Sequence, residues 1–62
     1  MALIVSSNIN NPDDFYQQLI DMQRDLNEDE VQLVNAKLIL LLANHIGDEE
    51  VLKQAMNFAQ EK

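Results

Sequence analysis

The sequence predicts an all-α fold: a compact three-helix bundle over residues 12–62, preceded by a short extended N-terminal arm over residues 1–11. Two observations support this prediction. Pro12 and Gly47 are the only proline and the only glycine among the 62 residues, so few positions can interrupt a helix. Three segments also begin with a capping residue and acidic side chains, and then repeat apolar residues at helical spacing. We therefore expect helices at about residues 12–25, 28–46 and 49–61.

The arm is assigned by its composition. Leu3, Ile4 and Val5 form a short apolar run, and the residues from Ser6 to Asn11 are rich in Ser and Asn, which favour turns and loops. An isolated strand is not stable in water. We therefore expect the apolar residues of the arm to lie across the helices or on a partner.

The first helix has a strong start signal. Asn11 is a good N-cap, Pro12 suits the first helical position, and Asp13 and Asp14 face the positive end of the helix dipole. Its apolar residues at helical spacing are Phe15, Leu19, Met22 and Leu26. This pattern indicates an amphipathic helix with one buried face.

The second helix is apolar on two opposite faces. Asn27 and Glu30 have the spacing of a capping box at its start, and Gly47 can supply a left-handed residue at its end. One face comprises Val31, Val34, Leu38, Leu41, Leu42 and His45, and the other comprises Leu33, Ala36, Leu40 and Ala43. A helix with two apolar faces is buried on both. Either the rest of the chain covers the second face, or a partner helix packs against its alternating large and small residues.

The third helix is predicted to begin after Asp48. Glu49 and Glu50 fall in its first turn, and its apolar face comprises Val51, Leu52, Ala55, Phe58 and Ala59. Eight of the eleven carboxylates of the chain occupy a cap or a first turn of the three predicted helices. Capping and the helix dipole account for these acids without a bound cation.

Charge and composition disfavour several function classes. The net charge of −7 argues against binding to nucleic acid or to anionic membranes, because that affinity comes from Lys and Arg. The longest apolar run, residues 38–43, is much shorter than the roughly 20 residues of a membrane span. With no secretory signal visible either, we expect a cytoplasmic protein.

Catalytic and metal sites are not expected. The chain has no Cys and no Gly-rich phosphate loop, and Ser6 and Ser7 lie in the arm without a His partner. His45 is the only imidazole, and Gly47 breaks the helix between it and Asp48. One His beside carboxylates on a turn is a poor zinc or iron site. We predict no catalytic residue, no metal ligand and no cofactor.

Two stretches of the sequence, residues 11–16 and residues 35–48, resemble a family of very short bacterial proteins known as domain of unknown function 2783. The run Leu-Leu-Ala-Asn-His-Ile-Gly-Asp at residues 41–48 is the most specific part of the resemblance. The family has no established activity. Its members are associated with gene neighbourhoods for aromatic-compound breakdown, which implies an accessory role. The resemblance also gives Asn44, His45 and Asp48 weight as a functional turn.

These observations lead to two functional hypotheses. The first is a non-enzymatic helical interaction module that forms a homo-oligomer or binds a partner protein through Leu33, Ala36, Leu40 and Ala43. The alternative is a small accessory or regulatory protein for a metabolic enzyme, which binds a ligand at the turn formed by Asn44, His45 and Asp48. The mass of the protein in solution would discriminate between them first, because a strict monomer would weaken the association hypothesis.

Overall fold

The computed structural model describes residues 2–61, and three α-helices account for 72% of them. Helix α1 spans Pro12–Gln23, α2 spans Glu28–Ile46 and α3 spans Glu49–Gln60, and residues 2–61 contain no strand. The predicted all-α, three-helix fold is therefore confirmed. Met1, at the start of the predicted arm, and Lys62, at the end of the predicted helical domain, lie outside the described residues.

The first two helices begin after the N-cap residues that the sequence predicted. The side-chain oxygen of Asn11 accepts a hydrogen bond from the backbone N–H of Asp14 at 3.2 Å. In α2, the Asn27 side chain accepts from the N–H of Glu30 at 2.9 Å, and the Glu30 carboxylate accepts from the N–H of Asn27 at 3.0 Å. The predicted capping box is thus complete, and it satisfies two N–H groups that a helix start leaves unpaired.

The turn between α2 and α3 also has the predicted local structure. Gly47 is left-handed, with φ of 69°, and its N–H donates to the carbonyl oxygen of Ala43 at 2.9 Å. Asp48 then caps α3, since its carboxylate accepts from the N–H groups of Glu50 and Val51 at 3.0 and 3.2 Å. Gly47 and Asp48, the two residues between the helices, therefore cap the end of α2 and the start of α3.

Helix α1 ends at Gln23, two residues before its predicted end. The N–H of Arg24 donates to the carbonyl oxygen of Asp21, and the N–H of Leu26 to that of Gln23. These three-residue spacings tighten the chain into a final turn. The reason lies in the next helix, because Asn27 must adopt extended backbone, with ψ of 175°, to cap α2.

The arm is hydrogen-bonded to α3. Residues 2–11 have neither helix nor strand, and the N–H of Leu3 donates to the side-chain oxygen of Gln54 at 3.1 Å. Leu3 is half-buried, whereas Ile4, Val5 and Ile9 are exposed. The arm therefore leaves most of its apolar surface in solvent.

The helices are arranged more openly than the compact bundle that we predicted. Val51, 6% exposed, is the one buried side chain among residues 2–61. The radius of gyration is 13.3 Å, whereas a compact domain of this length has about 10.6 Å. The accessible surface is 5775 Å², against about 4,100 Å² for a compact monomer of this mass. The difference, about 1,700 Å², is surface that close packing would have buried.

Candidate functional site

The first apolar face of α2 is covered only along its N-terminal half. Val31, Val34 and Leu38 are half-buried. Further along the same face, Leu41 is 68% exposed and His45 is exposed as well. The sequence predicted one continuous core face, and that expectation is wrong for its C-terminal half.

The position of α1 explains this division. The side chain of Gln23, at the end of α1, donates to the side-chain oxygen of Asn35 at 2.8 Å. Leu19 and Leu26, on the apolar face of this segment, are half-buried. With 12 residues, α1 is about 18 Å long, whereas the 19 residues of α2 span about 28 Å. Helix α1 therefore does not cover the whole of the longer helix.

The second apolar face of α2 is largely open to solvent. Leu33 is 56% exposed, Leu40 is 69% exposed, and Ala36 is exposed too, while Ala43 is half-buried. The rest of the chain thus covers the predicted partner interface at one of its four positions. This is the arrangement that an unpartnered interaction face would have in a single chain.

An apolar groove of about 380 Å³ separates α2 from α3 and reaches Leu40 and Ala43. Its lining residues are Ile39, Leu40, Leu42, Ala43, Ile46, Leu52, Ala55 and Met56. Met56 was not among the predicted apolar positions of α3. It follows Leu52 by four residues, a spacing that places both side chains on one side of a helix and that could have identified it.

A second groove, also of about 380 Å³, lies on the other side of Leu40. It is lined by Lys37, Leu40, Leu41 and Asn44. Leu40 therefore lines both grooves, but only the groove between α2 and α3 also reaches Ala43 of the second face and has side chains of two helices.

The residues of the predicted functional turn have different surroundings. Asn44 is exposed and lines the groove beside Lys37, and His45 is exposed at the last turn of α2. Asp48 is half-buried, and its carboxylate accepts the two N–H groups at the start of α3. Within residues 2–61, no three His, Asp or Glu side chains are grouped so that they could hold a metal ion.

The acidic residues of α2 are separated from its apolar surface. The structure places the eight carboxylates at the caps and first turns, as the sequence predicted. In α2, Glu28, Asp29 and Glu30 lie in the first turn, and residues 31–46 contain no acid. No helix in the described part of the chain is long and apolar enough to cross a membrane.

Comparison with known proteins identifies a family and no individual relative. Searches of curated proteins and of solved structures each found no match. A family model described as "Protein of unknown function (DUF2783)" matches residues 3–61. The match includes all three helices and most of the arm, and it is the family that the sequence resembled. The chain therefore belongs to this family of proteins of unknown function.

Proposed function

We propose that this protein is a non-enzymatic helical interaction module that associates with a protein through the second face of α2. The observation that supports this proposal most directly is the exposure of Leu33 and Leu40 on that face. Both are long apolar side chains on the central helix, where a self-sufficient domain would bury them. A protein surface laid against this face would remove them from water.

The extent of the exposed surface supports the same proposal. Besides Leu33 and Leu40, half or more of each of Ile39, Leu42 and Met56 is exposed, and these three side chains line the groove between α2 and α3. Monomeric proteins rarely expose contiguous apolar patches larger than a few hundred Å². Each Å² of apolar surface buried contributes about 25 cal/mol, so association has a substantial driving force.

The lining of the groove between α2 and α3 favours binding over catalysis. The side chains that line this groove are all apolar. General acid–base or nucleophilic catalysis needs paired polar groups around a reacting atom. We accordingly include no reaction in the proposed function.

Two neighbouring leucines allow a matched test of this function. Leu40 and Leu41 are 69% and 68% exposed, and helical spacing assigns Leu40 to the second face of α2 and Leu41 to the first. The wild-type protein, Leu40→Glu and Leu41→Glu would each be immobilised through a tag. Each would then be offered the untagged wild-type protein and, separately, an extract of the native cells. We expect the wild-type protein and Leu41→Glu to retain the same protein and Leu40→Glu to lose it.

Two results would contradict the proposal. One is that none of the immobilised proteins retains the untagged chain or any protein of the extract. The other is that Leu40→Glu retains everything that the wild-type protein retains. A small molecule that binds at Asn44, His45 and Asp48, with no associated protein, would favour the accessory role instead.

A further inference from the structure

We propose that the partner is a second copy of this chain, and that the two α2 helices pack antiparallel about a twofold axis at the level of Leu38. This inference rests on the proposed function and names its partner. In this arrangement the second face of one α2, formed by Leu33, Ala36, Leu40 and Ala43, lies against the same face of the other. Such a contact is isologous, which is the commonest form of homodimer.

The surface left open by one chain is large enough for a stable dimer. Each chain exposes 5775 Å², about 1,700 Å² more than a compact monomer of this mass. Two chains together therefore expose about 3,400 Å² that close packing would bury. A stable protein–protein interface buries about 1,200–2,000 Å² in total, so the open surface of two chains exceeds what such a contact needs.

The order of large and small residues favours the antiparallel direction. With the twofold axis at the level of Leu38, Leu33 lies opposite Ala43 of the second copy, and Ala36 lies opposite Leu40. Each level of the interface then pairs one Leu with one Ala, which fills the contact evenly. A parallel pair would instead place Leu against Leu and Ala against Ala, so the helices would be held apart at some levels and leave voids at others.

The groove between α2 and α3 fits this register. Ala43 and Leu40 line it, and the second copy's Leu33 would lie beside Ala43. The groove is lined by apolar side chains, including Met56 from α3. A Leu side chain entering it would be surrounded by apolar atoms from both helices.

The first experiment measures mass in solution over a wide range of concentrations, by sedimentation equilibrium. The wild-type protein and Leu41→Glu are expected at twice the 7.1 kDa chain mass, with similar dissociation constants. Leu40→Glu would place a carboxylate in the apolar contact, so its dissociation constant should rise by about a hundredfold or more. Leu40 and Leu41 are almost equally exposed in the single chain, so neither substitution should change the helix content of the chain itself. Circular dichroism should therefore give the same helix content for the two variants when they are compared at concentrations where the same fraction of each is dimeric.

The second experiment tests the direction of the helices and does not require a destabilising charge. The chain has no Cys, so Leu33→Cys and Ala43→Cys each introduce a single thiol. A disulfide needs Cα atoms within about 7 Å. In the antiparallel dimer, oxidation of a mixture should link Leu33→Cys chains to Ala43→Cys chains, whereas each variant alone should remain unlinked because like positions are about 15 Å apart along the axis.

The outcomes separate this inference from the proposed function. A wild-type mass of 7.1 kDa at every concentration, together with a different protein that binds through Leu40, would overturn the homodimer and leave the interaction module in place. Equal weakening by Leu40→Glu and Leu41→Glu would overturn the assignment of the interface to the second face. Crosslinks within each single-Cys variant, with none between the two, would show parallel helices and overturn the proposed register.

Discussion

The capping box of α2 provides a quantitative prediction about stability. Asn27→Ala removes the side-chain oxygen that accepts from the N–H of Glu30 at 2.9 Å, so that N–H loses its partner in the protein. The Glu30 carboxylate can still accept from the N–H of residue 27. One of the two hydrogen bonds is therefore lost directly, and we expect the free energy of unfolding to fall by about 1 kcal/mol.

The expected shift in melting temperature follows from the size of the chain. Unfolding entropy scales at about 2.1 cal/mol/K per residue, or about 130 cal/mol/K for this protein. A loss of about 1 kcal/mol then lowers the melting temperature by about 8 °C. Wild-type and variant proteins must be melted at the same concentration, since association would add to stability.

Thermal melting followed by circular dichroism would test this prediction, with a matched Asn variant as control. Asn57 is exposed in the interior of α3, so Asn57→Ala should change stability by less than about 0.5 kcal/mol, in the stabilising direction of helix propensity. A second variant, Glu30→Gln, retains an acceptor for the N–H of Asn27 and should retain most of the cap. If Asn27→Ala changed stability by less than about 0.3 kcal/mol, the capping box would not be what stabilises the start of α2.

Three further predictions concern the turn, metal binding and charge. In Gly47→Ala the added Cβ has space, since the nearest atom is 3.7 Å away, but φ at this position is 69°. The strain of a left-handed alanine should lower the free energy of unfolding, measured with denaturant, by about 1–2 kcal/mol. An unchanged free energy of unfolding would mean that the turn relaxes. Elemental analysis after dialysis should find no stoichiometric zinc or iron, and metal retained by the wild-type protein but lost in His45→Ala would contradict this expectation. Because each chain carries a net charge of −7, added NaCl should strengthen self-association in sedimentation, and weakening by salt would indicate attractive charges at the contact.

Helix starts and ends could be predicted because they depend on neighbouring residues. The Asn27 side chain accepts a hydrogen bond from the N–H of Glu30, and the N–H of Gly47 donates to the carbonyl oxygen of Ala43, each within about one turn of α2. Local hydrogen bonds of this kind are specified by residue type and spacing alone. The end of α1 was predicted less accurately, because the last turn of α1 depends on the cap of the following helix.

Burial was harder to predict, because it depends on how the helices are placed relative to one another. Phe58 lies at an apolar position of α3 by its spacing, yet it is 56% exposed. Leu41 shares a face with Leu38, and only Leu38 is half-buried. Periodicity identifies which residues share a face, but the length and position of the covering helix determine how far along that face burial extends.

The connections of the chain explain why the middle of α2 remains open. Residues 24–27 attach α1 to the N-terminal end of α2, and residues 47–48 attach α3 to its C-terminal end. Each flanking helix has 12 residues, against 19 in α2, and the apolar run Leu38–Ala43 surrounds α2 on nearly all sides. Two short helices cannot enclose a helix that is apolar all round. In the dimer that we propose, folding and association would bury parts of the same surface, so the stability of this chain should depend on its concentration.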